Sequence, residues 1–241
     1  MLRGLVQGSL EKLNVRLVTH DPVLNGSEIP LLPLLIRALF GADHPVSFCQ
    51  VGANDCSSND PLQRLIKPHW RGVLIEPQPG AFGRVKAKFA GNPNLVLKNV
   101  AVSTARGEQT LYTVKDSGGA TDSLDGVASF SRDHVLKFVG GDTNRVGQIT
   151  VPAIPLMDLL AEAGFSTLDV MSVDVEGFDD QVVRMLDLKK LRPTIIQYEH
   201  KHIPLTRERE CVKWLMDNDY RLVRLPLDTI AVDAKKLVGD L

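Results

Sequence analysis

The chain has 241 residues and a formal net charge of −1, with 44% apolar and 24% charged residues. This balance is typical of one globular domain, and so small a net charge provides no overall field to recruit nucleic acid or an anionic membrane surface. We therefore expect neither nucleic acid nor a membrane as a partner.

The cysteines and the N-terminal sequence bear on the compartment. Cys49, Cys56 and Cys211 are widely spaced and form neither a CxxC pair nor a disulfide framework, which favours a reducing, cytoplasmic location. The first residues lack the charged and apolar regions of a signal peptide. The most apolar early stretch, residues 29–40, is too short to span a bilayer, so we expect a buried helix there and no membrane span.

The first part of the chain predicts a helical cap followed by alternating strands and helices. Residues 1–44 form the predicted cap, with one helix bracketed by Pro33 and Gly41. Strands are predicted at residues 45–51, 72–76 and 94–99, and helices from Asp60, with Pro61 in the first turn, and at residues 81–90.

The alternation continues to residue 218 and predicts an α/β domain over residues 45–241. Further strands are predicted at 108–114, 149–154, 168–173 and 194–199, and helices at 155–163, 179–186 and 207–218. Strands that alternate with helices form a mostly parallel sheet. Residues 221–225 and 229–232 are predicted to end the chain as an antiparallel pair.

One long segment interrupts this pattern. Residues 115–145 are rich in Gly, Ser and Asp, and a loop of that length inside a compact domain is usually a functional lid or disordered. We predict a lid-like insertion at about residues 115–148 that closes over a bound substrate. Phe130 is its predicted apolar contact with that substrate.

Polar residues follow the first two strands where each strand ends. Gly52 lets the backbone approach a ligand closely, and Asn54 and Asp55 add acceptor side chains. Glu76 ends the next strand at the spacing typical of an acid that binds ribose hydroxyls. Because Cys56 stands where a second glycine would and Asp60 would repel a phosphate, these residues indicate an adenosyl ligand rather than a dinucleotide. A tight turn without a ligand is the alternative.

A second acidic pair follows the strand at 168–173. If residues 174–176 stay extended, Asp174 and Glu176 point to the same side of the chain. Two such carboxylates repel unless a cation, a proton or a hydrogen-bond donor lies between them. They could act as a base, orient a substrate hydroxyl or hold a cation; alternatively, Glu176 caps the following helix.

The strand at 194–199 leads into Tyr198-Glu199-His200-Lys201-His202. His200 is the predicted general base, because histidine exchanges protons near neutral pH. Tyr198, Glu199 and His202 are predicted to contact the substrate. Asp174, Glu199 and His200 offer plausible Mg²⁺ or Mn²⁺ ligands, but no spacing compels a metal site, and none is predicted.

Several of these motifs together resemble one family. Val51-Gly52-Ala53-Asn54-Asp55, Asn59-Asp60-Pro61-Leu62, Leu74-Ile75-Glu76-Pro77-Gln78-Pro79, Asn99-Val100-Ala101-Val102, Ser172-Val173-Asp174-Val175-Glu176-Gly177 and Tyr198-Glu199-His200 occur in the order seen in FkbM-type methyltransferases. The resemblance covers about residues 45–235. It implies the class I Rossmann-like methyltransferase fold and S-adenosylmethionine as the cofactor.

The resemblance also implies roles for single residues. Gly52, Asn54 and Glu76 would contact the cofactor, with Asp55 and Pro77 beside them in the same motifs. Val100 or Ala101 would lie near the adenine, and Asp174 near the methionine end. Cys56 departs from the glycine usual in the family and would narrow the pocket.

The resulting prediction is an S-adenosylmethionine-dependent O-methyltransferase. The acceptor would be a hydroxyl on a sugar or natural-product-like small molecule, deprotonated by His200 or Asp174 and oriented by Glu176. A non-catalytic adenosyl-binding module and a nicotinamide-dependent oxidoreductase remain alternatives. A homo-oligomer is compatible with the sequence, which does not fix the oligomeric state.

Overall fold

The computed structural model describes residues 31–54, 62–115 and 127–237. Several predicted features lie outside these residues. They are residues 1–30 of the cap, Asp55, Cys56, the helix start at Asp60 and Pro61, and residues 116–126 of the lid-like insertion. The helix predicted from Asp60 does not continue in the described residues, where the chain forms a short 3₁₀ turn at Gln63–Leu65.

Eleven strands and seven helices make up the described residues. The strands are β1 Ser47–Val51, β2 Arg71–Ile75, β3 Leu95–Lys98, β4 Ala101–Val102, β5 Gly107–Val114, β6 Ala128–Ser129, β7 Val146–Ile154, β8 Val170–Val173, β9 Ile195–Glu199, β10 Tyr220–Arg224 and β11 Asp228–Asp233. The helices are α1 Leu31–Phe40, α2 Pro79–Phe89, α3 Arg132–Phe138, α4 Leu156–Glu162, α5 Asp179–Arg184, α6 Leu205–Asp217 and α7 Ala234–Leu237. Within this part of the chain, no helix is long and apolar enough to cross a membrane.

The main sheet has seven strands in the order β10-β11-β9-β8-β1-β2-β3. The five strands from β9 to β3 pair in parallel, and β11 is antiparallel to both β9 and β10. The predicted parallel sheet and the terminal antiparallel pair are therefore confirmed. The strand order reverses between β1 and β8, so the carboxyl ends of these two strands flank the position where open α/β sheets bind ligands.

A second sheet of four strands, in the order β4-β7-β5-β6, is the main feature that the sequence did not predict. Strands β5 and β7 pair antiparallel from Gly107 opposite Ala153 to Val114 opposite Val146. The sequence indicated both strands separately but not their pairing. Strands β4 and β6 have two residues each, too few to show an alternating pattern. The described part of the predicted lid is thus built of β6, α3 and a short turn of 3₁₀-helix at Thr143–Arg145.

Helix α1 packs on the main sheet as part of its core. Leu32 and Ile36 are buried in one cluster with Phe48 of β1 and Val232 of β11. The helix begins two residues before Pro33, which is tolerated because the first backbone N–H groups of a helix have no intrahelical partner. It ends at Gly41, whose φ of +82° and N–H bond to the Arg37 carbonyl form a typical helix stop.

Candidate active site

A cavity lies at the carboxyl ends of β1, β2 and β8, between the two sheets. It has about 650 Å³ of empty space, part of it open to solvent. Nine of the residues singled out in the sequence line it: Gly52, Asn54, Glu76, Pro77, Val100, Ala101, Phe130, Asp174 and Glu176. The topology therefore brings together groups that are more than 120 residues apart in the chain.

Gly52 is the point where the ends of β1 and β8 approach most closely. Its φ is +83°, a conformation that L side chains rarely adopt. A Cβ atom at this position would lie 1.8 Å from the Asp174 carbonyl oxygen, so there is no room for any side chain. The N–H groups of Gly52 and Ala53 both bond the carbonyl of Ile75, which ties the turn to β2.

The Glu76 carboxylate is buried, with only 4% of the residue exposed, yet it lines the cavity. Its Oε2 accepts the Asn54 N–H and its Oε1 accepts the Gln78 N–H, each at 2.8 Å. Burial raises the pKa of Glu76 to about 7 despite these two hydrogen bonds. Each carboxylate oxygen has a second lone pair, so Glu76 can also accept hydroxyl hydrogen bonds from a ligand in the cavity.

The loop after β8 turns sharply rather than staying extended. Glu176 has a φ of +54°, so the prediction that extended backbone places Asp174 and Glu176 on one side was wrong. Both residues nevertheless line the cavity. The alternative role of Glu176 as a helix cap is also wrong: the N-cap of α5 is Phe178, without a side-chain cap hydrogen bond, and Glu176 Oε2 instead contacts His134. Within the loop, Asp179 accepts the N–H groups of Val175 and Gly177, each at 3.0 Å.

Several carboxyl groups gather at this end of the cavity. Burial and the neighbouring carboxylates of Asp179, Glu199 and Glu176 raise the pKa of Asp174 well above its usual range. Burial, together with Glu176, likewise raises the pKa of Glu199 to about 8. Such an environment favours a bound positive charge.

Two histidines meet Glu176 at the edge of the cavity. The Nε2 atom of His134 lies 2.9 Å from Glu176 Oε2, and that of His202 lies 3.6 Å from the same oxygen. The two imidazole rings pack edge to face with 4.6 Å between centroids, and Phe138 covers both. Sequence reasoning missed His134, whose only local signal is the helix start at Ser131, where the side chain accepts the His134 N–H.

The sequence of this chain matches the model of the methyltransferase FkbM domain over residues 50–222, which is more than half of its length. The chain belongs to the FkbM methyltransferase family. Its fold is the class I Rossmann-like methyltransferase fold, as predicted. Comparison with curated proteins gives no match.

Several solved structures resemble this FkbM methyltransferase at low sequence identity. An O-methyltransferase from Bacillus cereus in complex with SAH is 10% identical, with a TM-score of 0.47 over 96% of this chain and 90% of that one. The O-methyltransferase TomG from Streptomyces achromogenes, in complex with SAM, is 12% identical, with a TM-score of 0.46 over 94% and 86% of the two chains. Similarity at this level says nothing about the reaction of the FkbM protein.

Four predicted site residues of the FkbM domain are not among the residues that line the cavity: Tyr198, Glu199, His200 and His202. His200 is buried, and its Nδ1 lies 3.0 Å from the Thr229 hydroxyl on β11. Its backbone N–H bonds the Leu227 carbonyl, so pairing with the β10–β11 turn directs the ring away from the cavity. Tyr198 is fully buried in the core of the main sheet. The predicted roles of His200 as base and of Tyr198 in substrate binding are therefore not supported.

The other predicted residues of that strand end lie near the acidic end of the cavity. Glu199 Oε2 is 3.8 Å from His202 Nε2. The metal ligands considered from the sequence, Asp174, Glu199 and His200, do not form a set, because His200 points elsewhere. In the described residues, the group that could hold a metal ion is His134, Glu176 and His202.

Replacing Asp179 by alanine should lower the free energy of unfolding of the FkbM protein by about 2 kcal/mol, because two backbone N–H groups lose their acceptor. This decrease in stability is smaller than expected for two hydrogen bonds to a fully charged carboxylate, because burial raises the pKa of Asp179 to about 7 and so disfavours its charged form. Urea unfolding at pH 7 measures the change. Asp187→Ala, which removes an exposed bond to the Lys189 N–H, is the control and should change stability by less than about 1 kcal/mol.

An Asp179→Ala protein as stable as the parent would contradict this assignment of the loop. Asp179→Asn keeps one carbonyl acceptor and should show an intermediate loss.

Proposed function

We propose that this protein is an S-adenosylmethionine-dependent O-methyltransferase acting on a hydroxyl of a sugar or natural-product-like small molecule. The observation that carries the proposal is the buried Glu76 carboxylate facing a cavity whose opposite end carries Asp174 and Glu176. An adenosyl sulfonium carries ribose hydroxyls and, at its sulfur, a positive charge. The cavity offers a hydrogen-bond acceptor for the hydroxyls and carboxyl groups for the positive charge.

The residues of the cavity fit each part of that cofactor. Glu76 would accept the ribose hydroxyls with the lone pairs that its two backbone hydrogen bonds leave free. Gly52 keeps the end of β1 clear of side-chain atoms, so the ligand can lie against the backbone. Val100 and Ala101 offer an apolar wall for the adenine, and Asp174 lies among several carboxyl groups whose ionised form a bound positive charge would favour.

The acceptor would enter between the two sheets, beside Glu176. S-adenosylmethionine supplies a methyl group on a positively charged sulfur, and an acceptor oxygen bonds to that methyl as its bond to sulfur breaks. Asp174 and Glu176 are the carboxylates within the cavity that can orient the hydroxyl and receive its proton. Phe130 and Phe178, whose rings meet edge to face at 5.2 Å, provide an apolar wall that helps to exclude water.

The polar character of the acceptor end supports a hydroxylated substrate. Ser129 and Glu176 line the cavity there, and Ser129 Oγ donates to the Glu176 carbonyl at 2.9 Å. Two histidines, His134 and His202, contact the Glu176 carboxylate from outside the cavity lining. Glu176 and Asp174 can accept hydrogen bonds from more than one hydroxyl, which suits a polyol.

In keeping with the expected cytoplasmic location, the described cysteines, Cys49 and Cys211, are both free and buried.

Parallel calorimetric titrations with S-adenosylmethionine, S-adenosylhomocysteine and NADH test the cofactor. We expect the two adenosyl compounds to bind and NADH not to bind. Mass spectrometry after incubation with methyl-labelled S-adenosylmethionine and a panel of glycosides and other hydroxyl compounds then tests transfer to oxygen. Failure to bind S-adenosylmethionine would refute the proposal, and tight binding without transfer to any acceptor would instead favour a non-catalytic adenosyl-binding module.

A further inference from the structure

Three side chains from separate parts of the fold converge at the acceptor end of the cavity. His134 comes from α3, Glu176 from the loop after β8 and His202 from the loop after β9. Their ligand atoms all lie within 4.8 Å of one another. We propose that His134, Glu176 and His202 bind a divalent transition-metal ion.

The distances suit coordination of one ion. Metal–nitrogen and metal–oxygen bonds of about 2.0–2.2 Å place neighbouring ligand atoms about 3.0–3.5 Å apart at octahedral or tetrahedral angles. The Glu176 Oε2 atom is 2.9 Å from His134 Nε2 and 3.6 Å from His202 Nε2. Both Nε2 atoms thus lie close to the same carboxylate oxygen, and small side-chain shifts would let one ion bind all three ligand atoms.

A simple hydrogen-bonded pair explains less of this arrangement. A hydrogen bond from His134 satisfies Glu176 Oε2 but leaves His202 Nε2 too far away to share it. Both histidine side chains are largely buried, at 12% and 18% exposure, so water does not readily satisfy them. Glu199 adds an independent sign, because its buried Oε2 has no hydrogen-bond partner among the described residues and lies 3.8 Å from His202 Nε2.

The ligand types determine which ion fits. Two imidazole nitrogens and one carboxylate oxygen suit Zn²⁺, Fe²⁺, Co²⁺ or Mn²⁺, whereas Mg²⁺ and Ca²⁺ prefer oxygen ligands alone. Three protein ligands leave positions open, and Glu176 faces the cavity. A hydroxyl that binds at an open position loses its proton more easily. This last role rests on the proposed methyl transfer, but binding of the ion does not.

Binding of the ion is tested on the full chain without cofactor or substrate. After dialysis against a chelator, the protein is titrated with Zn²⁺ and with Co²⁺ by calorimetry and by Co²⁺ absorption, and bound metal is counted by elemental analysis. We expect one equivalent, with Mg²⁺ binding at least about 100-fold more weakly. His134→Gln and His202→Gln should each weaken Zn²⁺ binding by more than about 100-fold, because each removes a metal ligand. Loss of a residue that only hydrogen-bonds a ligand typically weakens metal binding by about 10- to 100-fold.

His44→Gln is the matched control. His44 Nε2 lies 3.3 Å from Asp169 Oδ2 at the opposite edge of the main sheet, so it is also a histidine–carboxylate pair, but it is not part of the three-residue group. This variant should bind Zn²⁺ as the parent does. Equal binding by the His134, His202 and His44 variants, or absence of Zn²⁺ and Co²⁺ binding by the parent, would overturn the proposal.

A second measurement does not depend on the folding of any variant. Zn²⁺ should shift the imidazole NMR signals of His134 and His202 of the parent protein, while those of His44 stay where they are. Unchanged signals of His134 and His202 on addition of Zn²⁺ would overturn the site. Because neither measurement uses S-adenosylmethionine, failure of the metal site and failure of the proposed methyl transfer are distinguished.

Discussion

Replacing Gly52 by alanine is expected to abolish S-adenosylmethionine binding and to lower the free energy of unfolding by about 3 kcal/mol or more. The added Cβ would lie 1.8 Å from the Asp174 carbonyl oxygen, which is a backbone atom and cannot rotate aside. The φ of +83° adds strain for any L side chain. To relieve the clash, the ends of β1 and β8 must separate, and the cofactor would bind between them. Chemical denaturation and calorimetry measure the two effects.

Gly83 provides the control for this substitution. It lies on an exposed face of α2, and a Cβ added there meets nothing within 4 Å. Gly83→Ala should therefore raise stability by up to about 1 kcal/mol, because alanine favours a helix interior over glycine. Normal cofactor binding by a stably folded Gly52→Ala protein would show that the close approach of β1 and β8 is not needed for the site.

Replacing Glu76 by glutamine should weaken S-adenosylmethionine binding by about 10- to 100-fold at pH 8 and lower the stability of the protein without ligand by up to about 2 kcal/mol. The affinity falls because hydrogen bonds to a charged acceptor contribute about 1.5–3 kcal/mol. The stability falls because the amide keeps one carbonyl acceptor, whereas both carboxylate oxygens accept a backbone N–H group. A purely structural role for Glu76 would lower the stability without changing the affinity of the folded protein for S-adenosylmethionine.

The pH dependence gives the same assignment a second test. Burial raises the pKa of Glu76 from about 4.5 in the unfolded chain to about 7, so the folded state binds more protons between these values. The contribution of Glu76 to stability is therefore fully present below pH 4.5. It decreases by up to about 3 kcal/mol in all as the pH rises to 7, and it changes little at higher pH. Glu76→Gln should remove this loss, as thermal unfolding from pH 5 to 8 would show.

Cofactor affinity should change in the opposite direction. In the proposed complex the charged carboxylate accepts the ribose hydroxyls, so affinity for S-adenosylmethionine should rise with pH up to about 7 and then level off. Glu76→Gln should abolish this dependence, whereas the exposed Glu108→Gln should keep it. If the affinity of the parent protein for S-adenosylmethionine does not change between pH 5.5 and 8, Glu76 does not take part in binding it.

The main sheet and the cofactor side of the cavity were largely predictable from the sequence. Four of the five parallel strands, β1, β2, β8 and β9, are apolar runs that end in or lead directly into a glycine or an acid. The carboxyl ends of parallel strands meet at one edge of the sheet. The strand pattern is therefore enough to assign Gly52, Glu76 and Asp174 to one cavity. The resemblance to FkbM methyltransferases supplied the nature of the ligand, which strand patterns alone left open.

The acceptor side was predicted less well, for reasons that are physical. The direction of a side chain just after a strand depends on the turn that follows, and the positive φ of Glu176 has no clear sequence signal. His200 is directed away by β11, a strand that follows it in the chain by almost 30 residues. His134 reaches Glu176 only because the second sheet carries α3 to this position, and that sheet contains two strands too short to recognise.

The two walls of the cavity have different origins in the chain, and this has an evolutionary consequence. The main sheet supplies Gly52, Glu76 and Asp174, whereas the second sheet and the residues beside it, within 101–154, supply Leu111, Ser129 and Phe130. One continuous stretch of sequence thus shapes the acceptor side without contributing a strand to the main sheet. In the proposed enzyme, exchange of that stretch between relatives would change the acceptor preference while leaving the strands of the main sheet in place.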